Sequence, residues 1–367
     1  MSPARLRLVG VTIGLALAGA TMVLFVPRLT PRGSAGPILS DCDGALRTIV
    51  VHYTPDGSFA LPAYRDFVRQ LPADVEVLVA CPDRAALDEL AGALGEVPCR
   101  LTPAVTGHEM TVWSRDRWLA MGIGSDGRTL LVPPRQEAGS GVWPQRAGDE
   151  RIAADLAATL PDRIASYRSH LAFDGGDFVC DGETAFVTPA VARRNIQHTV
   201  ESRDELVRDL EHLLRKRVVL LEEAPDHHAG MFMMAAGGRT VLVGDPSLAT
   251  RHPHPNLPDG VDDTPDTRRK FDAVADRAAA EGYRVLRIPL LPSRNGRVFV
   301  TYLNAILDQR DGQRIVYMPV YRGYDALNDA GEAVWRSVGY DVRRVDCTDV
   351  FVHFGSLRCL VNVVRRG

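Results

Sequence analysis

From residue 48 onward, short apolar runs alternate with longer stretches in which apolar residues recur at helical spacing. Thr48-Ile49-Val50-Val51-His52-Tyr53 predicts a buried strand, residues 62–71 a helix, and Val75-Glu76-Val77-Leu78-Val79-Ala80 a second strand. After them one unit is read five times: a helix, a strand, then a polar loop leading into two more strands. The helices begin near Arg84, Asp149, Arg203, Thr267 and Asp325, and the strands after them cover residues 99–105, 163–167, 217–221, 284–289 and 341–345. The clearest strand pairs are 231–236 with 240–244 and 298–306 with 315–319. The fifth unit ends on strand 360–364, one strand short, and the early strand 48–53 is free to complete it. A circular array closes in that way, leaving no exposed sheet edge. The predicted class is α/β, a five-bladed α/β propeller with pseudo-fivefold repeats; a doubly wound sheet is the competing architecture.

Ahead of the array, residues 8–26 carry no charge and would span about 28 Å as a helix, enough to cross a bilayer. The small residues Ala16, Ala18 and Ala20 precede the most apolar end, Val23-Leu24-Phe25-Val26, which favours an uncleaved signal anchor over a cleaved signal peptide. Residues 1–27 are therefore expected to be a signal anchor or signal peptide, 28–45 a linker rich in Pro and Gly, and 46–367 a single catalytic domain. The body is expected to be exported, held at the membrane through the N-terminal segment only, or free outside it if cleaved. Two Pro-rich and Gly-rich connections, 133–148 and 246–266, are long enough to act as lids. The 43 basic and 46 acidic side chains nearly cancel, so no bulk charge points to nucleic acid. Six cysteines are too sparse for a disulfide scaffold, and none forms a C-x-x-C metal pair.

Aligning the units by their helices puts the unusual polar residues in equivalent loops. They are Trp113-Ser114-Arg115-Asp116, Asp174-Gly175-Gly176-Asp177, Asp226-His227-His228-Ala229-Gly230-Met231, Arg294-Asn295-Gly296-Arg297 and Arg358-Cys359. Singly each has an ordinary explanation. An Arg-Asp pair is commonly structural, Asp-Gly-Gly-Asp commonly a tight turn, and a cysteine beside Leu360 and Val361 commonly a small core residue. In a radial array, however, the loops converge, bringing a thiol, a histidine and carboxylates to one cavity. That set suits attack on a guanidinium carbon. Carboxylates grip the planar N–H fork, the thiolate attacks, and the histidine protonates the departing amine and then activates water. No metal or organic cofactor is required. A metal site built from Asp226, His227 and His228 with His252 and His254 is a further reading, without the carboxylate-rich companions of a two-metal centre.

With those residues laid out, the chain over residues 45–367 resembles the guanidino-group-modifying (pentein) superfamily, nearest to the agmatine deiminase and bacterial peptidylarginine deiminase branch. Trp113-x-Arg115-Asp116 matches a motif whose Asp binds the guanidinium, and Asp174-Gly175-Gly176 matches the acid that orients the catalytic histidine. His228 matches the histidine of His-x-Asp-Met, and Cys359 the C-terminal nucleophile. The resemblance thus implies catalytic roles for Cys359, His228 and Asp174 and substrate contacts from Asp116, Arg115 and Trp113. Thr301-Tyr302-Leu303-Asn304 and Met318-Pro319-Val320-Tyr321 with Asp325 also resemble branch motifs, giving Asn304 a place near the substrate.

Three positions depart from the pattern. Gly230 replaces the second guanidinium-binding Asp, leaving Asp177 and Asp226 as candidate substitutes. Arg358 replaces a His beside the thiol, and Arg117-Trp118 replace Gly-Pro. The expected function is a cysteine-dependent deiminase acting on a small guanidino compound or peptidyl-arginine through a covalent thiouronium, giving a ureido product and ammonia. An amidinotransferase, or a catalytically silent pentein-type binding protein, would use nearly the same residues.

Overall fold

The structure is a computed structural model that describes residues 35–136 and 144–367. The apolar run 8–26, read as an anchor or signal peptide, lies outside the described residues, as does the centre of the connection 133–148. No described helix is long and apolar enough to cross a membrane.

Among the described residues the strands form five small mixed sheets. The first contains β1 (Leu46–His52), β2 (Glu76–Cys81) and β3 (Arg100–Val105). The second is β4 (Leu119–Ile123), β5 (Thr129–Val132) and β6 (Ile164–Ser166); the third is β7 (Phe178–Cys180), β8 (Thr184–Val187) and β9 (Arg217–Leu220). The fourth is β10 (Met233–Ala235), β11 (Thr240–Asp245), β12 (Arg284–Pro292) and β13 (Phe299–Thr301). The fifth is β14 (Ile306–Arg310), β15 (Gln313–Val320) and β16 (Asp341–Asp346). The last strand, β17 (Val361–Arg366), returns to the first sheet, in the order β17-β1-β2-β3. Each sheet repeats one design: an antiparallel pair whose second strand runs through a helical crossover into a parallel partner. Parallel neighbours require such a crossover, and an amphipathic helix supplies it.

The ring closes as the pattern predicts. Val363 and Val361 of β17 pair with Ile49 and Val51 of β1, so the first strand completes the last unit and both gain ladder partners. Local chemistry sets the helix ends. Asp83, Ser202 and Thr264 accept backbone N–H groups at the starts of Arg84–Leu94, Arg203–Leu214 and Pro265–Ala280, and Gly95, at φ 65°, ends the first of these. Their apolar faces cover strands buried along nearly their whole length, as in β2 and β8.

Three predicted boundaries differ. Residues 231–236 do not form one strand: Ala229–Phe232 is a buried helical turn, and β10 follows it. Residues 298–306 split into β13 and β14, because Tyr302–Ala305 turns away from the ladder and Asn304 bonds to neighbouring loops. Residues 35–45, expected as linker, are bonded into the body. Ile38 is buried and bridges Met121, Gly36 approaches Gly122, and Asp41 N–H bonds the Cys180 carbonyl. All six cysteines are buried and unpaired.

Two glycine substitutions test the packing. At Gly331, in the helix Asp325–Ser337, an added Cβ meets the Tyr302 ring at 2.5 Å. At Gly92, in the helix Arg84–Leu94, it meets nothing within 4 Å. Gly331→Ala is expected to cost about 1–3 kcal/mol and Gly92→Ala to add about 0.4–1 kcal/mol, read from urea unfolding midpoints.

Candidate active site

Each blade's first strand is entered by a loop, and the five loops meet in a closed circle. Arg115 N–H bonds the Cys359 carbonyl at 3.1 Å, joining the loop before β4 to the one before β17. Arg358 N–H reaches the Asn304 carbonyl at 3.0 Å and Cys359 N–H the Asn304 Oδ1 at 3.2 Å, joining the last loop to the one before β14. Asn304 Nδ2 donates to the Gly230 carbonyl at 3.2 Å, reaching the turn before β10. The His228 ring lies against Gly176, and Gly175 N–H bonds the Asp116 carbonyl at 2.6 Å, which completes the circle. The fourth member is thus Tyr302–Ala305, not the predicted Arg294–Arg297, which lies in the turn between β12 and β13.

The glycines of Asp174-Gly175-Gly176 serve close approach rather than left-handed backbone, since neither has a positive φ. A Cβ at Gly175 would fall 2.2 Å from the Arg115 carbonyl oxygen, and one at Gly176 would fall 2.5 Å from His228 Nδ1. The motif is therefore a thin wall between the Arg-Asp loop and the imidazole.

His228 stands just before the turn Ala229–Phe232, between two carboxylates. Its Nδ1 is 3.7 Å from Asp116 Oδ1 and its Nε2 is 3.6 Å from Asp174 Oδ2, longer than hydrogen bonds but within ion-pair reach. Burial alone would lower its pKa; Asp116, then Asp174 and the nearby Cys359 thiol, hold it well above the usual value. The two acids are opposites. Asp174 takes guanidinium hydrogen bonds from Arg117 and Arg146 at 2.8 Å and from Arg194 at 2.9 Å. Despite burial, these cations and His228 hold it well below the carboxylate range. Asp116 Oδ1 is buried without a hydrogen-bond partner, and burial pushes its pKa up although His228 pulls it down. Asp116 does not line the cavity that opens over His228, but its Oδ1 has no competing hydrogen bond to give up.

His227 supports this geometry from behind. Its Nδ1 accepts the His228 backbone N–H at 2.8 Å and its Nε2 donates to the Arg297 carbonyl at 3.1 Å, the pattern of a neutral ring. Burial lowers its pKa to about 4.

The structure thus brings Cys359, His228, Asp174 and Asp116 together. Of the other candidates, Asp177 and Asp226 line the cavity over His228, while Arg115, Trp113 and Asn304 do not. Asp177 is buried and occupied by Thr188, Arg194 and the Asp174 N–H. Arg115 is buried and bonds Asn362 at 3.0 Å; burial and neighbouring Arg358 lower its pKa to about 10. Half-buried Trp113 packs on Gly355, and Asn304 ties loops together. Asp226 is 85% exposed and pairs with Arg193 at the rim. Neither Asp177 nor Asp226 takes the second clamp's place opposite Gly230. A Cβ at Gly230 would instead meet Arg358 Nη1 at 2.6 Å. The Asp226, His227 and His228 donors point to different partners, and no group of three or more metal-ligating side chains is gathered among the described residues.

A cavity of about 680 Å³ opens over His228 and Asp174, walled by Ala190, Arg193, Arg194, Arg297 and Phe354. Cys359, 4% exposed, does not line it and lies within the protein beside His228. Sequence reasoning missed Arg193, Arg194 and the acid that answers Arg358, whereas Arg297 of the predicted fourth polar loop does wall the cavity. The paired departures at Gly230 and Arg358 were the available signal.

No family model and no curated protein matches this chain. Solved structures do. The agmatine deiminase of C. jejuni superposes with a TM-score of 0.68 at 15% identity, covering 92% of this chain and 99% of that one. The agmatine deiminase of Enterococcus faecalis superposes with a TM-score of 0.66 at 14% identity, covering 91% and 96%. The fold is therefore the α/β pentein fold of these enzymes.

His228 gives a pH signature. A raised native pKa contributes stability that is complete below the unfolded value of about 6.5 and is lost as pH rises through the native value. His228→Asn is expected to be least stable relative to the parent under acidic conditions, with the gap closing at alkaline pH. In Asp116→Asn the imidazole should titrate lower than in the parent, read by NMR.

Proposed function

We propose that this protein is a cysteine-dependent hydrolase of a guanidino compound, producing the ureido compound and ammonia. The observation that carries the reading is His228 held between Asp116 and Asp174, with Cys359 among the groups that raise its pKa, on the fold of agmatine deiminases. A cysteine-to-serine variant of the C. jejuni enzyme has been solved with substrate bound.

In the proposed reaction Asp116, the acid with an unpartnered oxygen, receives guanidinium N–H groups. The Cys359 sulfur bonds to the guanidinium carbon, having passed its proton to His228, and the tetrahedral adduct expels ammonia as His228 returns a proton to the leaving nitrogen. His228 then takes a proton from water, whose oxygen attacks the thiouronium carbon. The C–S bond breaks, the ureido product leaves, and the thiol is restored. Asp174, fixed by three arginines, holds the imidazole in register and stabilises its protonated form.

The walls favour a particular substrate. With Arg358 against Gly230, the second carboxylate clamp is absent, so a doubly cationic compound such as agmatine has less to hold it. At the rim, Arg297 stacks on Phe354, and Arg193 pairs with well-exposed Asp226, an association that water screens. These exposed cations suit a guanidino compound carrying a carboxylate at its far end, whether a free guanidino acid or an arginine with a free carboxyl terminus.

A second reading, a binding protein without turnover, is favoured by the seclusion of Cys359 from the cavity. A panel of guanidino compounds assayed for ureido product and ammonia separates the two. Turnover by the parent and none by Cys359→Ala is the expected result; thermal stabilisation by ligands with no product from any of them would favour the binder. Among turned-over compounds, carboxylate-bearing ones are expected to outperform agmatine, and Arg297→Ala should raise KM for them about five- to tenfold with kcat little changed, in line with loss of one charge-assisted contact.

A further inference from the structure

The two departures from the deiminase pattern, Gly230 and Arg358, are one structural exchange with a third participant. The Arg358 guanidinium is 2% exposed and lies where a side chain at 230 would stand. It is held from the N-terminal side of the body: Nε and Nη2 donate to Asp41 Oδ1 at 3.1 and 2.8 Å. Nη2 also donates to the Phe178 carbonyl at 2.9 Å, on the strand that follows the Asp174 loop. One buried cation therefore touches the turn behind His228, the strand behind Asp174 and the segment before β1, while its own backbone leads directly into Cys359.

Asp41 is itself fixed at every polar atom. Its N–H and Oδ2 bond the Cys180 carbonyl and N–H, each at 2.8 Å, and its carbonyl accepts Arg366 Nη2 at 2.9 Å. Burial would raise its pKa, but Arg358 and then Arg115 hold it below the usual value, so it stays an anion. An arginine buried among Arg115 and Arg366 needs such a partner. Without one it is an uncompensated charge that moves to find water, and the Cys359 turn moves with it.

We propose that Asp41 is a positioning residue of the Cys359–His228 site and acts through Arg358, so that the segment before the first strand is part of the catalytic apparatus. The inference rests on the reading of Cys359 as the nucleophile. In the full chain, Asp41 and Arg358 form a matched pair of opposite charges, and Arg358 is the residue before Cys359, so removing one or the other changes the charge on that turn in opposite senses.

The test is residue-resolved mass spectrometry of Cys359 alkylation by iodoacetate, an anion, and iodoacetamide, its neutral counterpart, with melting temperature measured in parallel. Asp41→Asn is expected to raise the iodoacetate to iodoacetamide rate ratio about fivefold, and Arg358→Gln to lower it about fivefold, in the senses that an unbalanced positive or negative charge on the Cys359 turn dictates. The double variant should return the ratio to within about twofold of the parent. A ratio unmoved in both folded single variants, or moved in the same direction by both, overturns the proposal and leaves only a structural ion pair. If a single variant does not fold, the double variant decides. Labelling at least about fivefold slower than the parent at a parental melting temperature supports the role, and parental labelling with parental turnover overturns it. A parent in which Cys359 is alkylated by neither reagent sinks the nucleophile reading itself, and this inference with it.

Discussion

Arg115 to Cys359, Arg358 and Cys359 to Asn304, Asn304 to Gly230, His228 to Gly176, Gly175 to Asp116: through these contacts five loops from five blades hold one another in a circle. Three are backbone–backbone hydrogen bonds and two join the Asn304 side chain to backbone groups, and buried groups of this kind are costly to leave unmade. A chain that satisfies all of them at once has little freedom in where it puts Cys359, His228, Asp116 and Asp174. The circle in turn requires a closed ring of sheets. The pairing of β17 with β1 supplies that closure by bringing the two ends of the array together.

Charge buried around the circle is matched locally. Asp174 has Arg117, Arg146 and Arg194, Arg117 also has Glu150, and Arg358 has Asp41. Removing Asp41 would leave the buried Arg358 without its carboxylate, whereas an exposed pair such as Arg193 with Asp226 can separate freely. This divides the arginines near the cavity by role. Those on Asp174 and Asp41 are fixed components of the site, and those at the rim are exposed and able to meet a ligand.

Asp116 differs from these in that its Oδ1 is buried with no hydrogen bond, only the His228 ring at 3.7 Å. Two acids face one imidazole, one saturated by cations and the other left open. Environment, not residue type, gives the two carboxylates on one imidazole opposite characters.

The repeat, the strand borrowed by the last unit, and the loops bearing Asp116, Asp174, His228 and Cys359 were legible in the amino-acid sequence. Strand and helix periodicity are local properties, and a loop's place after a helix and a strand survives even where residue identity does not. What the chain alone left open was what fills the space at Gly230. Asp177 and Asp226 were the acids near in sequence, yet the space is taken by Arg358, and the acid that answers it is Asp41, 317 residues away. The same holds for Asn304, read inside a strand until its bonds to Gly230 and Cys359 broke the ladder. Periodicity determined the elements; partners for buried charges and backbone groups come from whichever segment closure of the ring brings near, and only the tertiary structure decided that.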